Sequence, residues 1–152
     1  RAPVSGRVGG LEVVPLAGAM GAEIRGLDLR EISDADFALL HRAYLDHLLL
    51  LLRAQQPGDA DLLALARRFG EIEMPPVTAE HVAHRGLPGI TVVSNVRENG
   101  VPIGELGDGE VIWHSDYSFR EITAGMRVLH ALEVPPPGQG ANTEFCNTYA
   151  AY

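Results

Sequence analysis

The sequence predicts an α+β fold, mainly β, with a β core and helices packed outside it. Amphipathic helical patterns fall before Glu71, and short β-rich segments dominate after Ile90. Helices followed by runs of strands suit an antiparallel core with helices on its outside. A third observation sets the scale. The chain has 152 residues, 46% of them apolar, which is enough for one domain with a real core, so residues 1–152 read as a single domain.

The elements follow in order. Leu11 to Leu16 alternates weakly and reads as a strand; Ala22 to Arg25 reads as a second, after a turn bracketed by Gly18 and Gly21. Ser33 followed by Asp36 is an acidic variant of the capping box. Phe37, Leu40, Tyr44, Leu45 and Leu48 then recur at helical spacing, which predicts an amphipathic helix from Ser33 to about His47. His41 and His47 are expected to cap this helix or face solvent. Leu48 to Leu52 lacks polar alternation, the pattern of a strand buried on both faces, although such a run could also continue the helix. Pro57 and Gly58 break the chain. Gly58 or Asp59 can cap a second helix with Leu62, Leu63, Leu65, Ala66 and Phe69 as its apolar stripe and Gly70 as its stop.

Pro75 and Pro76 open a loop that carries His81 and His84, both read as ordinary loop residues. Ile90 to Ser94 is β-branched and predicts a strand. Glu98, Asn99 and Gly100 signal a turn, and Gly104 to Gly109 is a glycine- and acid-rich loop. Val111 to Trp113 is expected to be a strand running into His114. Ala124 to Val134 is expected to be a long strand, and Asn142 to Cys146 a short one. Asn147 or Thr148 caps a last helix.

Composition excludes several classes. The net charge is −8, and all 12 basic residues are scattered Arg with no Lys, which argues against a nucleic-acid surface. No apolar run approaches the roughly 20 residues of a membrane span. Cys146 is the single cysteine, so no internal disulfide forms and the cytoplasm is the plain expectation; Cys146 itself is expected to be a buried apolar residue rather than a nucleophile. The chain starts at Arg1 without Met, and Thr148 to Tyr152 looks like a first helical turn with no stop signal. The expectation is therefore a piece of a longer chain.

The strongest chemical feature is Trp113-His114-Ser115-Asp116. Residues i and i+2 of a strand share a face, so His-x-Asp presents an imidazole and a carboxylate side by side. Such neighbours plus one distal His form the facial triad of non-haem iron(II) oxygenases, with positions left open for a keto acid and dioxygen. With six His and 20 acids in the chain, about one His-x-acid pair is expected by chance, and a surface His beside a solvated Asp is the ordinary reading of one. The context favours a site: Val111, Ile112 and Trp113 precede the pair, and Tyr117 and Phe119 follow it. An ionisable pair within an apolar aromatic stretch is costly unless partnered, and a metal is such a partner.

The string Trp113-His114-Ser115-Asp116-Tyr117-Ser118-Phe119 resembles the W-H-[ST]-D-x-[ST]-[FY] signature of the taurine dioxygenase/TfdA-type family. Three further segments are similar to that family in the same order. They are Leu16 to Leu29, ending Gly26-Leu27-Asp28-Leu29; Ala66-Arg67-Arg68-Phe69-Gly70-Glu71; and Gly140-Ala141-Asn142-Thr143 followed by Tyr149-Ala150-Ala151-Tyr152.

The resemblance implies a double-stranded β-helix (a distorted jelly roll), truncated before the fold is complete, and an Fe(II)- and 2-oxoglutarate-dependent dioxygenase using O2. It implies that His114 and Asp116 are iron ligands and that Thr143 hydrogen-bonds a carboxylate of 2-oxoglutarate. The distal His and the Arg for 2-oxoglutarate would lie C-terminal of Tyr152, leaving residues 1–152 alone inactive or very poor. His130 is not used by the family in their place.

The implied reaction oxidises, most simply hydroxylates, a C–H bond of a small organic acid or amino-acid-derived substrate, releasing succinate and CO2. Pro75 and Thr78 stand where taurine dioxygenase holds its substrate with His and Tyr, and a substrate Asn falls near Glu110, which argues against taurine. Asn95, Arg97 and Tyr117 are the candidate substrate contacts, within or beside an Asn95–Gly109 loop expected to lie near the iron; an ordinary exposed turn is the competing reading. Trp113 and Phe119 are either pocket walls or core aromatics. A small molecule is the expected partner, with a homo-oligomer open. Two alternatives remain: desaturation or decarboxylation with the same cosubstrate, and a non-catalytic cupin-like binding module or degenerate fragment.

Overall fold

The computed structural model describes residues 3–16, 18–74, 87–106, 112–139 and 142–152. The chain forms two compact units: Arg1–Pro57 with Leu129–Tyr152, and Gly58–Val128.

The first unit is built on a four-stranded sheet of order β1-β2-β3-β4. Its strands are β1 (Gly6–Val8), β2 (Leu11–Pro15), β3 (Ala22–Arg25) and β4 (Leu50–Leu51). β1, β2 and β3 are antiparallel neighbours, and β4 runs parallel to β3. The alternation in the sequence has a clear physical outcome. Leu11, Val13, Ala22 and Ile24 are buried on one face, with Val13 opposite Ile24. On the other face Glu12 lies opposite Arg25, whose guanidinium reaches Glu23 at 3.0 Å and Glu12 at 3.7 Å. Two predicted strands are thus observed.

A parallel pair needs a crossover. Here it is α1 (Asp34–His47), which packs against β2, β3 and β4. Ser33 caps α1 as expected, accepting from Asp36 N–H at 3.1 Å, while its own hydroxyl donates to the Asp36 carboxylate at 2.6 Å. Leu40, Ala43 and His47 form the buried stripe. His47 neither caps nor faces solvent: its ring is buried and Nε2 donates to the Val4 carbonyl at 2.6 Å, while Val4 N–H donates to Asp46. His41 stays exposed and stacks on Phe37.

The Leu48–Leu52 run resolves both of its open readings. The helix stops because Leu48 adopts a left-handed conformation (φ 67°) and its N–H returns to Tyr44 O at 2.7 Å. Only Leu50–Leu51 then pairs, and these residues are half-buried rather than covered on both faces, because β4 is the edge of the sheet.

The Gly26–Leu29 segment, one of the family-like stretches, is held by Gln55. Leu29 N–H donates to its Oε1 at 3.0 Å, and its Nε2 donates to Leu27 O at 2.8 Å. Gly26 has φ 84°, and a Cβ there would lie 2.8 Å from Gly10 O. Gly26→Ala is therefore expected to destabilise the protein by about 1–3 kcal/mol, measured by urea unfolding; an unchanged midpoint would mean that the Gly9–Gly10 turn simply moves aside. Beside it, hydrogen bonds from Arg30 hold the Asp28 carboxyl at about 2, below its usual 3.8. The folded-state value is depressed, so this contribution is present above about pH 4 and is lost as pH falls through about 2. Asp28→Asn is expected to lower stability at neutral pH by a small amount, since the pair is exposed, and to flatten that part of the acid-unfolding curve, the two proteins converging below about pH 2.

In the rest of the first unit, α3 (Thr148–Ala151) is the expected last helix, capped by Asn147. The Asn147 side chain also donates to Ala19 O at 2.6 Å. The predicted strands Ala124–Val134 and Asn142–Cys146 are not formed. These residues have β composition, but a strand exists only where a second backbone accepts and donates to it, and no described residue does so. Leu129, Leu132 and Val134 are accordingly exposed, as is Cys146, which was expected to be buried.

The second unit opens with α2 (Asp59–Phe69), bounded by Gly58 and Gly70 as predicted. Glycine offers no capping side chain, so Asp61 turns back and accepts the Gly58 N–H at 2.8 Å. Leu63 and Leu65 are buried, with Leu62, Ala66 and Phe69 half-buried. Of the predicted Ile90–Ser94 strand only β5 (Val93–Ser94) forms, paired in parallel with β8 (Glu105–Leu106). Between them β6 (Arg97–Glu98) and β7 (Val101–Pro102) make a hairpin. Its two turn residues, Asn99 and Gly100, both have positive φ (50° and 82°), which is why Asn-Gly was a sound signal. His81, His84, Pro75, Thr78 and Glu110 lie outside the described residues, as does Val111.

Candidate metal centre

His114 and Asp116 lie in the second unit, at the entry to a turn rather than on a strand. Ser118 N–H reaches Ser115 O at 3.4 Å, and Arg120 N–H reaches Tyr117 O at 3.0 Å. Tyr117 takes a left-handed conformation (φ 54°), uncommon for a residue with a bulky side chain. The expected side-by-side arrangement is nonetheless present: His114 Nε2 lies 3.2 Å from Asp116 Oδ1.

Two further contacts orient the pair. His114 Nδ1 lies 2.7 Å from Ile112 O. A carbonyl only accepts, so Nδ1 donates there, which leaves Nε2, the atom facing the carboxylate, as the nitrogen that a neutral ring would offer to a metal. The other carboxylate oxygen, Oδ2, is held by Arg127 Nε at 2.5 Å.

The guanidinium groups of Arg127 and Arg120 both lie over the Tyr117 ring, 5.4 and 4.7 Å from its centroid, and Arg120 also pairs with Glu73. Phe119 meets the Tyr117 ring edge-on at 6.0 Å. Trp113 and Phe119 are 67% and 83% exposed, so neither is a core aromatic or a pocket wall among the described residues.

The donor set fits a divalent metal. Two electron-rich atoms, an imidazole nitrogen and a carboxylate oxygen, face each other across 3.2 Å. Neighbouring ligands with bonds of about 2.1 Å at right angles sit about 3 Å apart, so the spacing suits one shared cation. Among the described residues no third His, Cys, Asp or Glu joins them.

Thr143 is exposed and belongs to the Leu129–Tyr152 segment of the first unit. Asn95 is exposed between β5 and β6, and Arg97 is engaged within its own hairpin, donating to Gly100 O at 3.2 Å. Among the described residues no hydrogen bond or ion pair joins Asn95 or Arg97 to His114 or Asp116. Tyr117 does adjoin the pair, and it is cradled by two cations. Sequence reasoning missed Arg127 and Arg120; the one available signal was a charged residue set between Met126 and Val128.

A model of the family described as "Taurine catabolism dioxygenase TauD, TfdA family" matches residues 12–152. The chain belongs to the TauD/TfdA family. It is 40% identical over 148 residues to a pentalenolactone F synthase of Streptomyces arenae, covering 93% of this chain and 48% of that one. It is 31% identical over 152 residues to an (S)-phenoxypropionate/alpha-ketoglutarate-dioxygenase of Delftia acidovorans, again covering 93% and 48%. The chain thus spans about half the length of these TauD/TfdA relatives. A crystal structure of a putative alpha-ketoglutarate-dependent taurine dioxygenase from Burkholderia xenovorans is 31% identical over 42% of this chain and 23% of that one, with a TM-score of 0.41.

Proposed function

We propose that this protein is a non-haem iron(II), 2-oxoglutarate-dependent dioxygenase that hydroxylates a C–H bond of a small organic acid, with release of succinate and CO2. The observation that carries the reading is the facing pair of His114 Nε2 and Asp116 Oδ1, with the imidazole tautomer set by Ile112 O. Support comes from the family match and from relatives whose names specify alpha-ketoglutarate dependence and aryloxy-acid substrates, among them an alpha-ketoglutarate-dependent 2,4-dichlorophenoxyacetate dioxygenase of Cupriavidus pinatubonensis.

In this reading residues 1–152 form one dioxygenase domain or part of one, with the family's jelly roll as its core. His114 and Asp116 hold iron(II), which with 2-oxoglutarate and dioxygen supplies the oxidation of the substrate carbon. Ile112 O keeps the His114 lone pair aimed at the metal position, and the Asp116 carboxylate offsets metal charge. Thr143 donates its hydroxyl to a 2-oxoglutarate carboxylate. The third iron ligand and the cationic partner of 2-oxoglutarate are assigned to the part of the TauD/TfdA relatives that this chain does not match. Tyr117 borders the substrate.

The test is anaerobic titration of the full-length protein with iron(II) and 2-oxoglutarate. A visible metal-to-ligand charge-transfer band is expected, because a keto acid chelated to iron(II) absorbs there. No band at saturating iron would replace this reading with that of a binding module.

A further inference from the structure

We infer that Arg127 is a positioning residue for the metal centre: it grips one oxygen of Asp116 so that the other remains turned toward His114, making the carboxylate a one-oxygen ligand. This rests on the iron reading above.

Three observations point to it. First, the nearest contacts of the carboxylate fall on different oxygens. Arg127 Nε meets Asp116 Oδ2 at 2.5 Å, while Oδ1 faces His114 Nε2 at 3.2 Å. Second, the guanidinium is itself braced, lying 5.4 Å from the centroid of the Tyr117 ring that follows Asp116 directly. The left-handed turn at Tyr117 (φ 54°) places that ring where both Arg120 and Arg127 reach it. Third, the contact has no other evident purpose. The side chains are 44% and 41% exposed, and exposed ion pairs contribute about 1 kcal/mol or less to folding. Outer partners of metal ligands, by contrast, commonly govern metal affinity by about 10–100-fold.

Two opposing effects must be weighed. The guanidinium charge repels a bound divalent cation, whereas its contact with Oδ2 limits the freedom of the carboxylate to rotate away or to chelate through both oxygens. The division of contacts favours the second effect, because Arg127 Nε approaches Oδ2 whereas Oδ1 is the oxygen nearest His114.

The substitutions Arg127→Met and Arg127→Gln separate these roles. Methionine keeps an unbranched apolar side chain and removes the donor. Glutamine places an N–H at the same bond count from the backbone without the charge. In the full-length protein at saturating 2-oxoglutarate, the iron(II) titration is expected to shift to about 10–100-fold weaker affinity in Arg127→Met. Arg127→Gln is expected to regain most of that loss, and thermal midpoints should stay together in all three proteins. Tighter or unchanged iron binding in Arg127→Met would overturn the inference, since Arg127 would then compete with the metal or be indifferent to it. Failure of Arg127→Gln to improve on Arg127→Met would overturn it as well. A missing charge-transfer band in the unsubstituted protein would overturn the iron reading itself, whereas a normal band there with unchanged affinity in Arg127→Met would overturn only the role of Arg127.

Discussion

Replacing His114 with alanine is expected to abolish the charge-transfer band and the 2-oxoglutarate turnover of the full-length protein. The loss should exceed the roughly 10–100-fold that removal of an outer partner costs, because a ligating atom itself is gone. The same substitution should barely affect folding. The His114 and Asp116 side chains are 52% and 41% exposed, and a pair so open to water contributes about 1 kcal/mol or less. Activity and stability should therefore separate cleanly. Asp116→Ala is expected to be at least as damaging to iron binding. It removes the anionic ligand and also strands the Arg127 guanidinium, a positive charge with its partner deleted, beside the metal position. Iron(II) titration and unfolding curves on the same preparations check both halves. A variant that keeps the band would remove His114 or Asp116 from the ligand set.

The largest expected effect on stability lies in the first unit. Leu40 is 2% exposed on the inner face of α1, in a core that includes Val13, Ala22, Ile24 and Ala43. Leu40→Ala is expected to cost about 2–5 kcal/mol, the range for emptying a packed leucine site. That is a large share of the roughly 5–15 kcal/mol that holds a typical domain together. Leu45, on the same helix but 58% exposed, provides the control; its alanine variant should stay within about 0.5 kcal/mol of the unsubstituted protein. Urea unfolding of the full-length protein distinguishes the two. Similar midpoints for Leu40→Ala and Leu45→Ala would mean that the α1–sheet interface is not the core of this unit.

Much of the local structure of both units was legible before any coordinates. Ser33 and Gly58 as caps, the stripe through Leu40, the strands at Leu11 and Ala22 and the Asn99-Gly100 turn all rest on interactions spanning a few residues, and periodicity and cap chemistry report those. His47 was misread because its partner, Val4, lies 43 residues away. The run after Leu48 was ambiguous because its outcome depends on which strand accepts it. The segments Ala124–Val134 and Asn142–Cys146 were read as strands from composition, yet composition only makes a strand suitable for pairing. Whether another backbone lies opposite is a property of the fold.

The candidate site divides along the same line. The sequence by itself determined the candidate ligand pair: a His and an Asp two residues apart in an aromatic setting, in an order shared with the TauD/TfdA family. Spacing of two residues confines both side chains to the same neighbourhood whatever the chain does around them. Only the tertiary structure decided which carboxylate oxygen faces the imidazole, that Ile112 O sets the tautomer, and that Arg127 grips the remaining oxygen. Arg127 is 11 residues beyond Asp116, and it returns to it only because the chain reverses after the left-handed Tyr117. An ion pair closed across such a reversal depends on the path of the backbone, which no local pattern of residue types encodes.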